Sequence, residues 1–275
     1  LITGATSGIG RAAATALAQK GASLVLLVRS LEKGRATVSE ISSKTGNKSF
    51  ELLHCDLASL DSVRAAAMEF ASKHQKLDVL IANAGVIRGK RQLTADGFEY
   101  TFGVNHLAHF VLANLLLDTL KRSAPSRIVV TSSTSHLRAH MDFDDLMEEK
   151  GFGAWKAYGQ SKLANALFTF ELSRRLEGTK VTANCFHPGF VRTNIGVGLG
   201  GISGFAYPIS YPFAISTERG ADTLVYLATS PEVEGVSGKY FYQRKPDAVN
   251  PEVLDASIAK RLWEASEKLT SKWLA

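Results

Sequence analysis

"TGATSGIG", residues 3–10, decides how this chain is read. The apolar residues before it end a strand, and "RAAATALAQK" after it predicts a helix opening at Arg11. A strand, a glycine turn and a helix form the unit that receives a pyrophosphate. Gly4 permits the tight turn, and Gly8 and Gly10 let backbone and helix approach the phosphates. The helix N-terminus adds unpaired amides and the positive end of its dipole. Thr6, Ser7 and Ile9 share the turn and are counted with the glycines as cofactor contacts. The spacing, Gly-x-x-x-Gly-x-Gly, matches neither G-x-G-x-x-G nor a phosphate loop closed by Lys-Ser/Thr. "LITG" is too short for the strand that the turn requires, so that strand is expected to start upstream of Leu1, where a membrane anchor could also lie.

Outward from the turn, short β-rich runs alternate with longer helical ones. Near-continuous apolar runs at 23–28, 49–55, 78–84, 127–132, 181–186 and 239–243 predict strands covered on both faces. Helices are expected near 11–20, 31–45, 60–73, 97–120, 157–176 and 217–229. A last helix should start at "NPEVL", with Asn250 as N-cap and Pro251 at its first position. The series predicts an α/β fold: a doubly wound parallel sheet of about seven strands with helices on both faces. No repeat or long polar linker divides residues 1–275, so one domain is expected.

The 275 residues are 45% hydrophobic and 21% charged, as in ordinary globular proteins. The net charge of +6 raises the question of nucleic acid. The cations are interspersed with acids, however, and the densest cluster is only "RGKR", 88–91. An anionic small-molecule ligand fits that distribution, and no nucleic-acid partner is expected. Cys55 and Cys185, far apart in apolar runs, read as buried free thiols in a reducing, cytoplasmic compartment. The pairs His106/His109 and His136/His140 lack a third ligand, so no metal is expected.

The second strand bears on which dinucleotide is bound. An acid usually stands at its end to hold a ribose 2′-hydroxyl. Here the strand runs into "LLVRS", with Arg29 in that place. A guanidinium fork suits a 2′-phosphate, so NADP(H) is preferred over NAD, with Lys33 as a further contact.

With these motifs in order, the chain resembles the short-chain dehydrogenase/reductase family over nearly its whole length. The likeness rests on "TGATSGIG", "DL" at 56–57, "NAG" at 83–85, "GVNHLAHF", "VVTSS", "YGQSK" at 158–162 and "HPGFVRT" at 187–193. Within the family it looks most like the retinol-dehydrogenase-like branch, with protochlorophyllide reductases as neighbours. The resemblance implies a Rossmann-type fold and interconversion of apolar carbonyls and alcohols. It implies that Asp56 and Leu57 lie beside the adenine, and Asn83, Ala84 and Gly85 near the cofactor. Pro188, Val191 and Thr193 would grip the nicotinamide. Catalytic roles fall on Asn105, Ser133, Tyr158 and Lys162, with Ser132 as the alternative serine. Many such proteins pair through the helices carrying Asn105 and Tyr158. In this chain Tyr158 stands 25 positions after Ser133, and the inserted piece could obstruct pairing. That piece is expected to be a solvated excursion rather than a substrate lid.

An unperturbed tyrosine has a pKa near ~10, too high for acid–base work near neutrality. A cation one helical turn away favours the phenolate, and Lys162 is at i+4 from Tyr158. By resemblance Ser133 orients the substrate oxygen, Asn105 holds a water leading from Lys162 to solvent, and Lys162 also holds the nicotinamide ribose. Leu163, Ala166, Leu167 and Phe170 form an apolar stripe, placing the Tyr158/Lys162 line about 110° away, at the edge of a cleft. Tyr240 and Arg244 share that spacing but read as structural.

From Ile195 to Thr217 the only charge-free stretch rich in aromatics, glycine and proline reads first as an apolar lid over a hydrophobic substrate. Peripheral membrane contact is the second reading and plain core the third. Two function classes stay open: an NADP(H)-dependent oxidoreductase and a non-catalytic dinucleotide-binding regulator.

Overall fold

A computed structural model describes residues 1–191 and 214–275. Its centre is an eight-stranded sheet ordered β3-β2-β1-β4-β5-β6-β7-β8. The strands are β1 (Ile2–Thr3), β2 (Leu24–Val28), β3 (Phe50–His54), β4 (Val79–Ala82), β5 (Ser126–Thr131), β6 (Val181–Phe186), β7 (Tyr240–Tyr242) and β8 (Lys245–Pro246). All neighbours pair in parallel except β7 and β8. The antiparallel pair adds one short strand to the seven expected. The order reverses between β1 and β4, which is where such sheets open a ligand crevice.

Alternation along the strands divides two cores. Val25, Leu27, Leu80, Ile128 and Val130 face one core, whereas Leu26, Val28, Ile81 and Val129 face the other. Side chains on a strand point to opposite faces in turn, so apolar residues at consecutive positions demand cover on both sides. Helices α1 (Gly8–Gln19), α2 (Leu31–Thr45) and α8 (Thr217–Thr229) lie on one side. On the other are α3 (Leu60–Lys73), α5 (Ala108–Leu115), α7 (Ala154–Arg175) and α10 (Ala256–Leu274).

Three expected helices differ in detail. The first opens at Gly8, inside the glycine turn. The segment expected as one helix over 97–120 is broken into α4 (Tyr100–Phe102), a π-helical turn (Gly103–Leu107), α5 and α6 (Leu117–Arg122). Gly97 turns with φ +87°, and the carboxylate of Glu99 caps α4 by accepting from the amides of Thr101 and Phe102. At the C-terminus, Asn250 and Pro251 start only the short α9 (Pro251–Leu254), and Asp255 caps the long α10.

The piece between Ser133 and Tyr158 is not a solvated excursion. Met141, Asp145 and Glu148 are buried. Gln160 of α7 accepts from the Asp142 amide and donates to the Leu146 carbonyl, fastening the piece to the helix. Cys55 and Cys185 are buried and unpaired, as expected, and burial pushes both thiols up to about 12. Among the described residues no helix is long and apolar enough to cross a membrane. The expected lid lies outside them over residues 195–213.

Candidate active site

Six successive parallel strands deliver their C-terminal ends to one cavity of ≈ 980 Å³. Gly4 follows β1, Arg29 follows β2, Asp56 and Leu57 come just after β3, and Asn83 follows β4. Ser132 and Ser133 follow β5, and His187 and Pro188 follow β6. Side chains far apart in sequence meet there because parallel strands all point the same way.

The glycine turn leaves no room for side chains at Gly4 and Gly10. Gly4 and Gly8 take φ +71° and +52°, a region that favours glycine. A Cβ on Gly10 would fall 2.2 Å from the Gly4 carbonyl oxygen and 2.6 Å from Asn83 Nδ2, so only glycine fits. Ser7 precedes α1 without a side-chain cap, and no acid stands in the first turn. The first amides of α1 therefore have no competing anion. Thr6, Ser7, Gly8, Ile9 and Gly10 all line the cavity.

One buried network ties this turn to the helix of Asn105. Thr3 Oγ1 accepts from the amides of Asn83, 2.9 Å, and Ala84, 3.0 Å. It meets His109 Nε2 at 2.9 Å, and His109 Nδ1 meets the Asn105 carbonyl at 3.0 Å. A carbonyl only accepts, so Nδ1 carries the proton and Nε2 accepts from Thr3. Burial holds this ring neutral, pushing it down to about 4. Asn83 Nδ2 donates to the Thr3 carbonyl, and Thr131 Oγ1 donates to Asn83 Oδ1, joining β1, β4 and β5.

Asn105 sits in the π-helical turn with its side chain fully engaged. Its Oδ1 accepts from the Val86 amide at 2.8 Å, and its Nδ2 donates to the Val86 carbonyl and to Ser161 Oγ. Its backbone carbonyl accepts from His109 Nδ1.

Tyr158 and Lys162 both line the cavity but are far more enclosed than a cleft-edge flank. Every residue of α7 from Ala157 to Thr169 is buried, whereas Phe170, assigned to the apolar stripe, is only half-buried. The stripe is no separate core face, because α7 is packed between the sheet, the π-helical turn, α10 and the 3₁₀ turn at Thr134–Arg138. Lys162 is 1% exposed. Its Nζ donates to the Thr131 carbonyl at 3.1 Å and lies 5.7 Å from the Tyr158 ring centre. Burial pushes its pKa down to about 8.

The two serines part ways. Both line the cavity, but Ser132 Oγ is buried and donates to the Lys162 carbonyl at 2.8 Å, whereas Ser133 is half-buried. Among the described residues Ser133 Oγ meets only Ser135, donating to its Oγ and accepting from its amide, both at 3.2 Å. Beyond them His187 stacks on Tyr242, ring centres 4.0 Å apart, and burial pushes the imidazole down to about 4. Tyr240 is buried and Arg244 pairs with Asp222 at the surface, so that pair is structural in the fold.

Of the residues expected to hold a cofactor, Ala84, Gly85, Pro188 and Val191 also line the cavity. Lys33 does not: it is exposed on α2, and its amide donates to the Ser30 cap. Asn105 stands behind the wall, and Thr193 lies outside the described residues. Sequence reasoning passed over Thr3, His109, Ser161, Ile87, Arg88, Tyr100 and Trp155. His109 at i+4 from Asn105 was visible only as a metal-like spacing, and Arg88 only as part of a surface cluster. Among the described residues no group of side chains could hold a metal ion.

The short chain dehydrogenase family model matches residues 1–200. Human retinol dehydrogenase 13 is 46% identical over 276 residues, covering 98% of this chain and 83% of that protein. The crystal structure of an uncharacterized protein from Mycobacterium paratuberculosis superposes with a TM-score of 0.78 at 35% identity, covering 98% of this chain and 92% of that one. A provisionally assigned short-chain dehydrogenase of Escherichia coli, complexed with NADPH, has a TM-score of 0.69 at 27% identity, covering 87% and 93%.

Proposed function

This chain belongs to the short-chain dehydrogenase family, nicotinamide-dependent oxidoreductases of CH–OH groups, and from that premise we propose that it is an NADP(H)-dependent enzyme interconverting hydrophobic carbonyls and alcohols. One observation carries the reading: a single cavity holds the uncapped glycine turn, Arg29, and the trio Ser133, Tyr158 and Lys162.

The glycine turn and the first amides of α1 would hold the pyrophosphate. Arg29, exposed and in no ion pair among the described residues, would take the 2′-phosphate. Asp56 and Leu57 would flank the adenine, and Pro188, Val191 and Thr193 the nicotinamide. When bound, the cofactor supplies or receives the hydride. Ser133 and Tyr158 hydroxyls hydrogen-bond the carbonyl oxygen, and Tyr158 passes it a proton as the new C–H bond forms. Buried Lys162, an ammonium below about pH 8, draws the resulting negative charge on the phenol oxygen. Asn105 would hold a water that returns the proton from solvent. Ile87 and Trp155 beside Tyr158 give the reacting end apolar walls and favour an apolar substrate of the kind named in retinol dehydrogenase 13.

The test is NADPH consumption across retinoid, steroid, aliphatic and aromatic carbonyls. Tyr158→Phe should lower turnover by about 10²–10⁴-fold while NADPH still binds. Tight NADPH binding without turnover on the whole panel would instead favour a non-catalytic regulator.

A further inference from the structure

Among the described residues three cationic side chains, Arg29, Arg88 and Lys162, line the cavity. Arg29 follows β2 beside the glycine turn, and Lys162 is engaged with Thr131 and Tyr158. Arg88 has no comparable duty. Its guanidinium carbon lies 4.4 Å from the centre of the Tyr100 ring. Among the described residues its buried Nε has no hydrogen-bond partner and no carboxylate pairs with it. Arg91, three residues on, shows what an engaged arginine of this loop looks like: it donates to the Met147 carbonyl and pairs with Glu149.

A guanidinium held over an aromatic ring keeps its N–H donors for other partners, and that fork meets a carboxylate bidentately. A buried donor without a partner is unfavourable and marks a place for one. The position is at the reacting end of the cavity, since the preceding residue, Ile87, packs on Tyr158. Trp155, edge-on to Tyr158, and Phe190 line the same cavity and are apolar.

We propose that Arg88 is a specificity-determining residue that binds a carboxylate carried by the substrate, so that the favoured substrates are apolar oxo acids and their hydroxy acids. This rests on the oxidoreductase reading and names its substrate class. In the reducing direction the carbonyl carbon takes the hydride of NADPH, its oxygen takes the Tyr158 proton, and the carboxylate remains unchanged against Arg88.

The experiment compares, for the full chain, NADPH oxidation with aliphatic ω-oxo acids of several chain lengths and with their uncharged methyl esters. For the wild type, kcat/KM should favour the acid by about 10- to 100-fold at the best length, the range for hydrogen bonds to a charged group. In Arg88→Met that ratio should fall towards one, chiefly through a raised KM for the acid, with Arg88→Lys intermediate and KM for NADPH unmoved. Equal use of acid and ester by the wild type, a comparison that needs no variant to fold, would overturn the proposal and leave the oxidoreductase standing. So would an effect of Arg88→Met on KM for NADPH alone, which would assign Arg88 to the cofactor. Bound NADPH with no turnover of acid or ester at any length, nor on the wider carbonyl panel, would overturn both readings.

Discussion

Ser132 Oγ donates to the carbonyl of Lys162 at 2.8 Å, fastening the end of β5 to the middle of α7. The next residue, Ser133, also lines the cavity, but it is half-buried and its hydroxyl bonds only within its own turn among the described residues. On the proposed mechanism one serine braces the wall and its neighbour meets the substrate. Ser133→Ala should lower turnover by about 10²–10³-fold, as for loss of one donor to the reacting oxygen, and leave the melting temperature nearly unmoved. Ser132→Ala should do the reverse, costing about 0.5–1.5 kcal/mol of stability for the lost buried hydrogen bond, since the Lys162 carbonyl still accepts within α7. Melting curves and kinetics on both variants check the division, and equal effects would refute it.

Lys162 makes the reaction sensitive to alkali. Its pKa is pushed down to about 8 by burial, so the ammonium is present below that pH and lost above it. For the free enzyme, kcat/KM should fall about tenfold per pH unit above the transition. A profile flat to well beyond that point would show that the ammonium is not needed. Lys162→Met should be slow at every pH.

Buried histidines make the fold sensitive to acid. His109 and His106 are pushed down to about 4 and 3 by burial, from an ordinary 6.5. As pH falls below 6.5 the unfolded chain takes up protons that the folded one refuses, so stability present above 6.5 is lost progressively down to about 4 for His109. Each such group contributes a slope of up to about 1.4 kcal/mol per pH unit. His109→Gln keeps a donor for Asn105 and an acceptor for Thr3 but does not titrate. Denaturant melts between pH 6.5 and 5 should show the smaller slope in that variant. His109→Phe, which satisfies neither partner, should be less stable than wild type and weaken NADPH binding through the Thr3–Asn83 network. A wild-type slope retained in His109→Gln would refute the assignment.

Arg29 is exposed beside the glycine turn. Arg29→Asp should weaken NADPH binding by about 10- to 100-fold, the worth of hydrogen bonds to a charged group. It should also turn the preference towards NADH, since a carboxylate repels a 2′-phosphate and accepts from a 2′-hydroxyl. Titrating both cofactors against both proteins tests this, and an unchanged ratio would separate Arg29 from cofactor choice.

Much of the architecture is written in local periodicity. The bounds of α2, α3 and α8 follow from their own residues, with Ser30, Ser59 and Ser216 accepting from amides of the first turn. The unbroken apolar runs of β2, β5 and β6 require helices on both faces. The interruption of the segment around Asn105 was not legible, because nothing in "GVNHLAHF" breaks a helical pattern. The π-helical turn there accompanies bonds to Val86 and Ser161, 19 and 56 positions away. The burial of α7 was missed for a related reason: helix periodicity describes one partner surface, and this helix has several.

The sequence alone determines the order of strands and helices, the glycine turn that only glycines can occupy, and the placing of Tyr158 and Lys162 one turn apart. These depend on neighbours within a few residues, whose geometry the backbone dictates. Only the tertiary structure decides that Ser132 braces α7 while Ser133 bonds within its own turn, that Lys162 is buried, and that His109 joins Thr3 to Asn105. Those outcomes depend on hydrogen bonds closing loops of 30 and 106 residues, and such partners exist only once the sheet has brought its strand ends together.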